Sequence, residues 1–334
     1  MTDSDGGVSI VERNMSIRNF PAFSDRISQI QLAKDQNLLA VIGMEQDAST
    51  LKVFNMEKLD ANKNPTEIVT AKVRLDDSLG VPSVMACTPS MSDVAIGFYK
   101  GSVLLVHYDN QLRYSQTRLI CQHEKDAVTG LEFKREESLY VVTMSGLFEY
   151  SIQLTGQNQF RLFGATLAPP PMPEQIDLDP LGADFKCTAA TEDGEIIVGT
   201  QPAIFFWKDE DKRQCLGFDG QKVLLQWFRG NLVVVTKVGE ANELAIYDTR
   251  NKLIAFQDNK FGNGKITHVV FEWGSAFVFT DDKKVYELVE KDTQSKLESL
   301  FKKNLYPIAI TLAQNNQLDP AATASIITRY AEHL

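Results

Sequence analysis

Gly262-Asn263-Gly264-Lys265 is the nearest approach in this chain to a phosphate-cradling loop, in which backbone amides and an ammonium group share a polyanion. Ile266 stands where a magnesium-binding hydroxyl is needed, and no glycine lies five positions before Gly264, so the segment reads as a hairpin connection. Asp3-Ser4-Asp5-Gly6 starts like a calcium loop, yet its last ligand position falls on Asn14 instead of a bidentate carboxylate. Cys87, Cys121, Cys187 and Cys215 form no pair at zinc-ligand spacing, and Cys87 and Cys187 sit in apolar segments that suit small buried thiols. His107, His123, His268 and His333 make no pair one helical turn apart. G-x-S-x-G, H-E-x-x-H and paired-carboxylate signatures are absent, and Asp209-Glu210-Asp211 reads as a solvated turn. Asn14-Met15-Ser16 fits the glycosylation pattern, which a cytosolic chain does not expose to the modifying machinery. The expected catalytic, cofactor-binding and metal-binding sets are therefore all none, and the chain is expected not to be an enzyme.

A recurring pair demands a separate reading. Phe54-Asn55, Tyr108-Asp109 and Tyr247-Asp248, with Trp207 close to Asp209, each place an aromatic residue before a polar turn residue. A carboxylate or amide repeated at one place in every unit serves turn hydrogen bonding better than it serves a single binding site.

Composition sets the outer bounds. The 334 residues are 43% hydrophobic and 23% charged, an ordinary balance for a chain with a large core, and the net charge is −10. Nucleic acid is excluded as an expected partner, because non-specific affinity for it comes from clustered Lys and Arg. No apolar run reaches bilayer-crossing length, and Met1-Thr2-Asp3-Ser4-Asp5 lacks the basic and apolar regions of a secretory signal. A cytoplasmic chain is expected.

The elements that would position any site are short β segments. Gly7–Val11 and Ile17–Phe23 come first, followed by a set of four: Ile27–Leu32, Leu38–Gly43, Thr50–Asn55 and Glu67–Leu75. Four further sets of four recur at about forty residues, the spacing of propeller blades. Phe160–Phe163 closes the third of the five sets, and Pro169-Pro170-Pro171-Met172-Pro173 with its flank to Leu181 reads as an exposed loop between blades. Ile266–Phe271, Ala276–Thr280 and Lys284–Leu288 form a last set of three. The expected architecture is a seven-bladed β-propeller over residues 7–289, with its first and last blades incomplete.

At Lys291 the period changes. Ser295-Lys296-Leu297-Glu298 has capping-box spacing, and Leu297, Leu300 and Phe301 then share a helical face. Tyr306-Pro307 and Asp319-Pro320 repeat the start signal, with Ile308, Leu312 and Ala313, then Ile326, Ile327 and Tyr330, at helical spacing. Residues 292–334 read as the first helices of an α-solenoid of the clathrin-heavy-chain-like kind.

The run from Glu290 through Ser295 and Phe301 to Leu305 closely resembles the subunit-eleven family of the vacuolar-protein-sorting tethers HOPS and CORVET. Gln226-Trp227-Phe228-Arg229-Gly230, Ile246-Tyr247-Asp248, Glu272-Trp273-Gly274-Ser275 and Ala95-Ile96-Gly97-Phe98 resemble the same family in the same order. The resemblance implies a non-enzymatic scaffold acting in vesicle docking, membrane tethering and endosome-to-lysosome or vacuole transport. The implied partners are the other class C core subunits and, indirectly, Rab GTPases and SNAREs, at the cytosolic face of late endosome, lysosome or vacuole membranes. A clathrin- or coatomer-type coat scaffold is the alternative, and a propeller enzyme the third reading, although the repeated Ser-x-Asp-x-Gly-x-Thr-Trp motif of sialidases is missing. The family's RING domain, with its zinc and ubiquitin-ligase activity, does not transfer, since none of its ligands is in this chain. Set against the family, the missing strands correspond to residues upstream of Met1, so a truncated, marginally stable and association-prone chain is expected.

Overall fold

The computed structural model describes residues 5–45, 48–73, 79–109, 115–134, 137–152, 173–208, 213–262 and 264–333. β1 (Gly7–Val11) and β2 (Ile17–Pro21) pair with each other as a hairpin. Five four-stranded sheets follow, each with its strands in chain order. They are β3 (Ile27–Ala33), β4 (Leu38–Glu45), β5 (Ala48–Leu59) and β6 (Pro65–Lys72); then β7 (Pro82–Cys87), β8 (Asp93–Phe98), β9 (Ser102–Tyr108) and β10 (Ser115–Gln122). The third has β11 (Val128–Lys134), β12 (Ser138–Thr143), β13 (Leu147–Ser151) and β14 (Gln175–Asp179), and the fourth β15 (Thr188–Ala190), β16 (Ile196–Gly199), β17 (Ala203–Trp207) and β18 (Arg213–Gly217). The fifth has β19 (Lys222–Phe228), β20 (Asn231–Val238), β21 (Ala241–Asp248) and β22 (Leu253–Asp258). A three-stranded sheet, β23 (Ile266–Glu272), β24 (Ser275–Thr280) and β25 (Val285–Val289), precedes helices α1 (Thr293–Lys302), α2 (Tyr306–Asn315) and α3 (Pro320–His333).

The fold is mainly β, a β-propeller of six blades with three helices at its C-terminal end. That is one blade fewer than the expected seven, because β1 and β2 pair only with each other among the described strands. Two compact units divide the chain, residues 1–226 and 227–334, with the division inside β19.

In the first unit the core lies between consecutive sheets. The second and third strands of each blade, such as β4, β8 and β9, are buried almost throughout, which is why they read as continuous apolar runs and not as alternating ones. Ile42, Leu51 and Val53 of one sheet meet Ile96, Leu104 and Val106 of the next, and Leu105, Ile120 and Cys121 meet Leu131, Leu139 and Val141 beyond it. Phe20, Phe23 and Val8 of the hairpin region pack on Leu39, Val41 and Phe54.

A bulge recurs where first strands begin. The register slips between Ile27 and Gln29, Pro82 and Val84, Val128 and Gly130, and Ile266 and His268, leaving Ser28, Ser83, Thr129 and Thr267 as the extra residues. A bulge leaves backbone groups without ladder partners, and three of these hydroxyls fill the gap. Ser83 Oγ donates to Val128 O (2.7 Å) in the adjoining blade, Thr129 Oγ1 to Val142 O (3.4 Å) and Thr267 Oγ1 to Phe279 O (3.2 Å).

Three local expectations need correction. The first helix is capped by Asp292, whose Oδ1 accepts from Ser295 N (2.8 Å) and whose Oδ2 accepts from Ser295 Oγ (2.9 Å). The capping motif therefore starts three residues earlier than Ser295-Lys296-Leu297-Glu298, since a carboxylate competes better than a hydroxyl for the positive helix end. The fourth strand of the third blade is β14, inside the flank read as loop, because an outer strand needs only one apolar side and Ile176 and Leu178 supply it. Phe160–Phe163 and Pro169–Met172 lie outside the described residues.

Tyr108, ending β9, is buried with no hydrogen-bond partner for its hydroxyl. Tyr108→Phe is expected to raise thermal stability by about 1 kcal/mol, since an unpaired buried hydroxyl costs free energy and the ring alone fills the space. A lower melting temperature for this variant would show that the hydroxyl is bonded in solution.

Candidate functional site

The residues whose types suggested chemistry are placed at structural work. Gly262 to Lys265 connects β22 to β23, between sheets and not within a hairpin as expected, and its backbone faces carboxylates: Lys265 N donates to Asp281 Oδ1 (2.8 Å). An added Cβ on Gly264 would lie 2.4 Å from Asp282 Oδ1. A phosphate would meet negative charge there, which explains why the lysine-glycine pattern is not an anion cradle. Asn14 Oδ1 accepts from Ser16 N (2.8 Å) and shapes the β1–β2 turn. Asn55 Oδ1 accepts from the Glu57 and Lys58 amides (both 2.9 Å), and Asp248 Oδ1 accepts from Asn251 N (3.0 Å), the turn role read from the repeated aromatic–polar pair. Asp3, Ser4 and Asp209-Glu210-Asp211 lie outside the described residues.

Among the described residues no group of three or more His, Cys, Asp or Glu is placed to hold a metal ion. Burial pushes the Cys121 and Cys187 thiols up to about 12, and burial followed by the Glu132 charge pushes Cys87 up to about 11, so these sulfurs stay protonated and weakly nucleophilic. His107 Nδ1 lies 2.9 Å from Asp93 Oδ1 across the β8–β9 ladder. His123 Nε2 lies 2.9 Å from Tyr150 Oη, which donates onward to Gln175 Oε1 (2.7 Å), so the imidazole nitrogen acts as donor and offers no base on that side. Burial lowers the His123 pKa, and its ring stacks on Phe148 at 4.2 Å.

Two cavities lie at equivalent places in the first unit, where turns between second and third strands meet the connections into the next blade. One, of about 400 Å³, is lined by Met144, Asp184, Thr200, Gln201 and Lys222. Lys222 is 3% exposed; its Nζ donates to Gln201 O (2.7 Å) and to Phe218 O, and lies 5.0 Å from the Phe218 ring centroid. Burial lowers its pKa, and two carbonyls hold the ammonium as a staple between strand ends. The other cavity, of about 510 Å³, is lined by Asp25, Arg26, Met44, Ser49 and Val81. Among the described residues that line them, no nucleophile is hydrogen-bonded to a base. Sequence reading missed Lys222, whose alternation as the first residue of an apolar strand gave no sign of burial.

Glu132 faces Cys87 from β11, and burial raises its carboxyl from the ordinary 4.5 to about 7. The folded state thus holds the proton more tightly than the unfolded chain, so its contribution to stability is present below about pH 4.5 and is lost as the pH rises through about 7. Glu132→Gln is expected to leave the melting temperature unchanged at pH 4 and to stabilise by about 2 kcal/mol at pH 8, after allowance for partial exposure. Parallel melting curves at both values check it, and an equal shift at both would remove the titration as cause.

In the second unit the three helices build a small core from Leu297, Ala309, Leu312, Ala313 and Ile326. Tyr306 stacks on Tyr330 at 5.5 Å, and Arg329 lies over Phe301 at 4.8 Å. Asn315 Nδ2 donates to Asn251 Oδ1 (3.1 Å), tying the end of α2 to the β21–β22 turn. No helix among the described residues is long and apolar enough to cross a membrane.

The family model described as PEP5/VPS11 N-terminal matches residues 1–290. The chain belongs to the PEP5/VPS11 N-terminal family. Curated members align over 99% of the chain: a vacuolar protein sorting-associated protein 11 homolog of Mus musculus at 32% identity and one of Homo sapiens at 31%, each with 36% of its length covered, and one of Dictyostelium discoideum at 28%, with 38% covered. The chain therefore spans about a third of the length of these VPS11 relatives. The resemblance read from Glu290–Leu305 and the blade motifs is confirmed. A chain in a crystal structure of the mitotic checkpoint complex superimposes with a TM-score of 0.54 at 11% identity, covering 79% of this chain and 76% of that one, which bears on the fold alone.

Proposed function

We propose that this PEP5/VPS11 family chain acts in vacuolar protein sorting as a non-enzymatic scaffold within the HOPS and CORVET membrane tethers. Membership of the family over nearly the whole chain is the observation that carries the reading. The division of labour follows the change of period, with residues 7–289 as a propeller module in which the β1–β2 hairpin belongs to an incomplete seventh blade, and residues 292–334 as the start of a solenoid. The partners are the other core subunits, and through them Rab GTPases and SNAREs, at the cytosolic face of endosomal and lysosomal or vacuolar membranes. The lack of paired nucleophile and base around the two cavities supports a binding role over catalysis. Affinity purification of a protein carrying this chain, followed by identification of co-purifying chains, tests the assignment. Vacuolar-sorting tether subunits are expected; clathrin-type coat chains recovered in their place would overturn it.

A further inference from the structure

We propose that the second unit carries a docking site for an acidic polypeptide segment, centred on Arg229, Arg250 and Lys252. The inference does not rest on the tethering assignment.

All three cations are exposed, on a chain whose net charge is −10. Three other lysines of this unit are paired: Lys265 with Glu240 (3.8 Å), Lys284 with Asp282 (2.6 Å) and Lys296 with Glu290. No carboxylate among the described residues lies within ion-pair distance of Arg229, Arg250 or Lys252. Asp248, the nearest acid in sequence, is engaged by Asn251, accepting from its backbone amide (3.0 Å) and from Nδ2 (2.6 Å). Two arginines and a lysine thus gather positive charge on the β19–β20 and β21–β22 turns of an acidic chain, which is the complementarity an anionic partner reads.

The cluster is also held in place. Arg229 and Gly230 form the β19–β20 turn with φ of 49° and 81°, and the Arg229 guanidinium lies 5.0 Å from the Phe228 ring centroid. Phe228 stacks in turn on Phe271 at 4.2 Å with planes 11° apart. A Cβ on Gly230 would come 2.9 Å from Arg250 Nε, so the missing side chain is what lets the second guanidinium lie against the turn. Two residues after Phe271, Trp273 begins the β23–β24 turn, 41% exposed and edge-on to Phe277 at 5.6 Å. Arginine on one rigid turn and an exposed tryptophan on another, linked through the Phe228–Phe271 stack, are residue types that binding hot spots favour, and guanidinium forks take carboxylates in bidentate geometry. An extended acidic segment with an apolar residue for Trp273 fits this surface. A planar anionic bilayer fits less well, because it would also face the surrounding acidic protein.

The test uses the full chain and a fluorescein-labelled peptide of acidic residues flanking one leucine, read by fluorescence anisotropy at low salt. The wild-type chain is expected to bind with an affinity that falls as salt rises. The variant R229Q/R250Q/K252Q is expected to lose at least about tenfold in affinity, with unchanged circular dichroism since all three sites are exposed. The control K237Q/K260Q/K283Q makes the same charge change elsewhere in the unit and is expected to lose less than about twofold. Absence of binding by the wild-type chain, or equal losses in both variants, overturns the proposal. So does capture by phosphatidylcholine vesicles containing phosphatidylserine without peptide binding, which would assign the cluster to a membrane surface.

Discussion

Gly101→Ala is expected to destabilise the 1–226 unit by roughly 3–5 kcal/mol, among the larger effects of any single methyl group. Gly101 sits at the β8–β9 turn with φ of 90°, a backbone that L side chains rarely adopt. A Cβ built there would stand 1.6 Å from His123 O, a backbone atom that cannot rotate away. The turn is fastened on both sides, since Gly101 N donates to Phe98 O (3.0 Å) and His123 N donates to Gly101 O (2.9 Å). Relieving the clash therefore breaks the second bond, which ties the turn to the end of the outer strand. Gly220→Ala separates the causes, because Gly220 has φ of 105° with nothing within 4 Å of its added Cβ. Backbone strain alone then costs about 1 kcal/mol. At roughly 2–4 °C per kcal/mol for a unit of this size, the melting temperature should fall by about 6–20 °C for Gly101→Ala and about 2–4 °C for Gly220→Ala. Equal shifts in the two variants would show that the approach to His123 is not what the glycine serves.

Leu312→Asp is expected to unfold the three helices. Helices of 10, 10 and 14 residues are marginal in water by themselves, so they depend on their shared core. That core has five buried members, and Leu312 is the bulkiest contribution from α2, flanked by Ala309 and Ala313, whose small side chains let α1 and α3 approach. Removing the leucine costs about 2–5 kcal/mol and burying a carboxylate without a partner adds more, at least about 4 kcal/mol together. The ellipticity at 222 nm should fall, and limited proteolysis should cut within the helices. Ile327→Asp, at a position 48% exposed on α3, should leave both readings close to wild type. A protease-resistant Leu312→Asp helix region would mean that the core is held by contacts other than this one.

Much of the fold was legible in the sequence because the signals are local. Gly7–Val11 is a strand at the bounds its apolar run suggested, and Ile17, Ile27, Leu38 and Ile266 each begin a strand where expected. Proline at the start of α2 and α3 likewise marked both helices, since a missing backbone donor costs nothing in a first turn. Family membership was legible too, from the helical junction and the blade motifs.

The rest depended on neighbours distant in sequence. Nothing in Gln175–Asp179 outweighed the proline run before it until β13 offered a ladder edge, and Asp292 displaced Ser295 as cap because the helix end, not the motif, chooses the better acceptor. The hydroxyls at Ser83, Thr129 and Thr267 became a pattern only when the register showed a bulge beneath each. Burial of Lys222, the raised Glu132 carboxyl and the unmatched Arg229, Arg250 and Lys252 have the same origin. Sequence period determines which side of a strand is apolar, because side chains alternate along one strand. Which charges find partners, and which carbonyls face a lysine, is decided by strands and turns that meet only in the folded chain, where desolvation makes a missing or present partner costly.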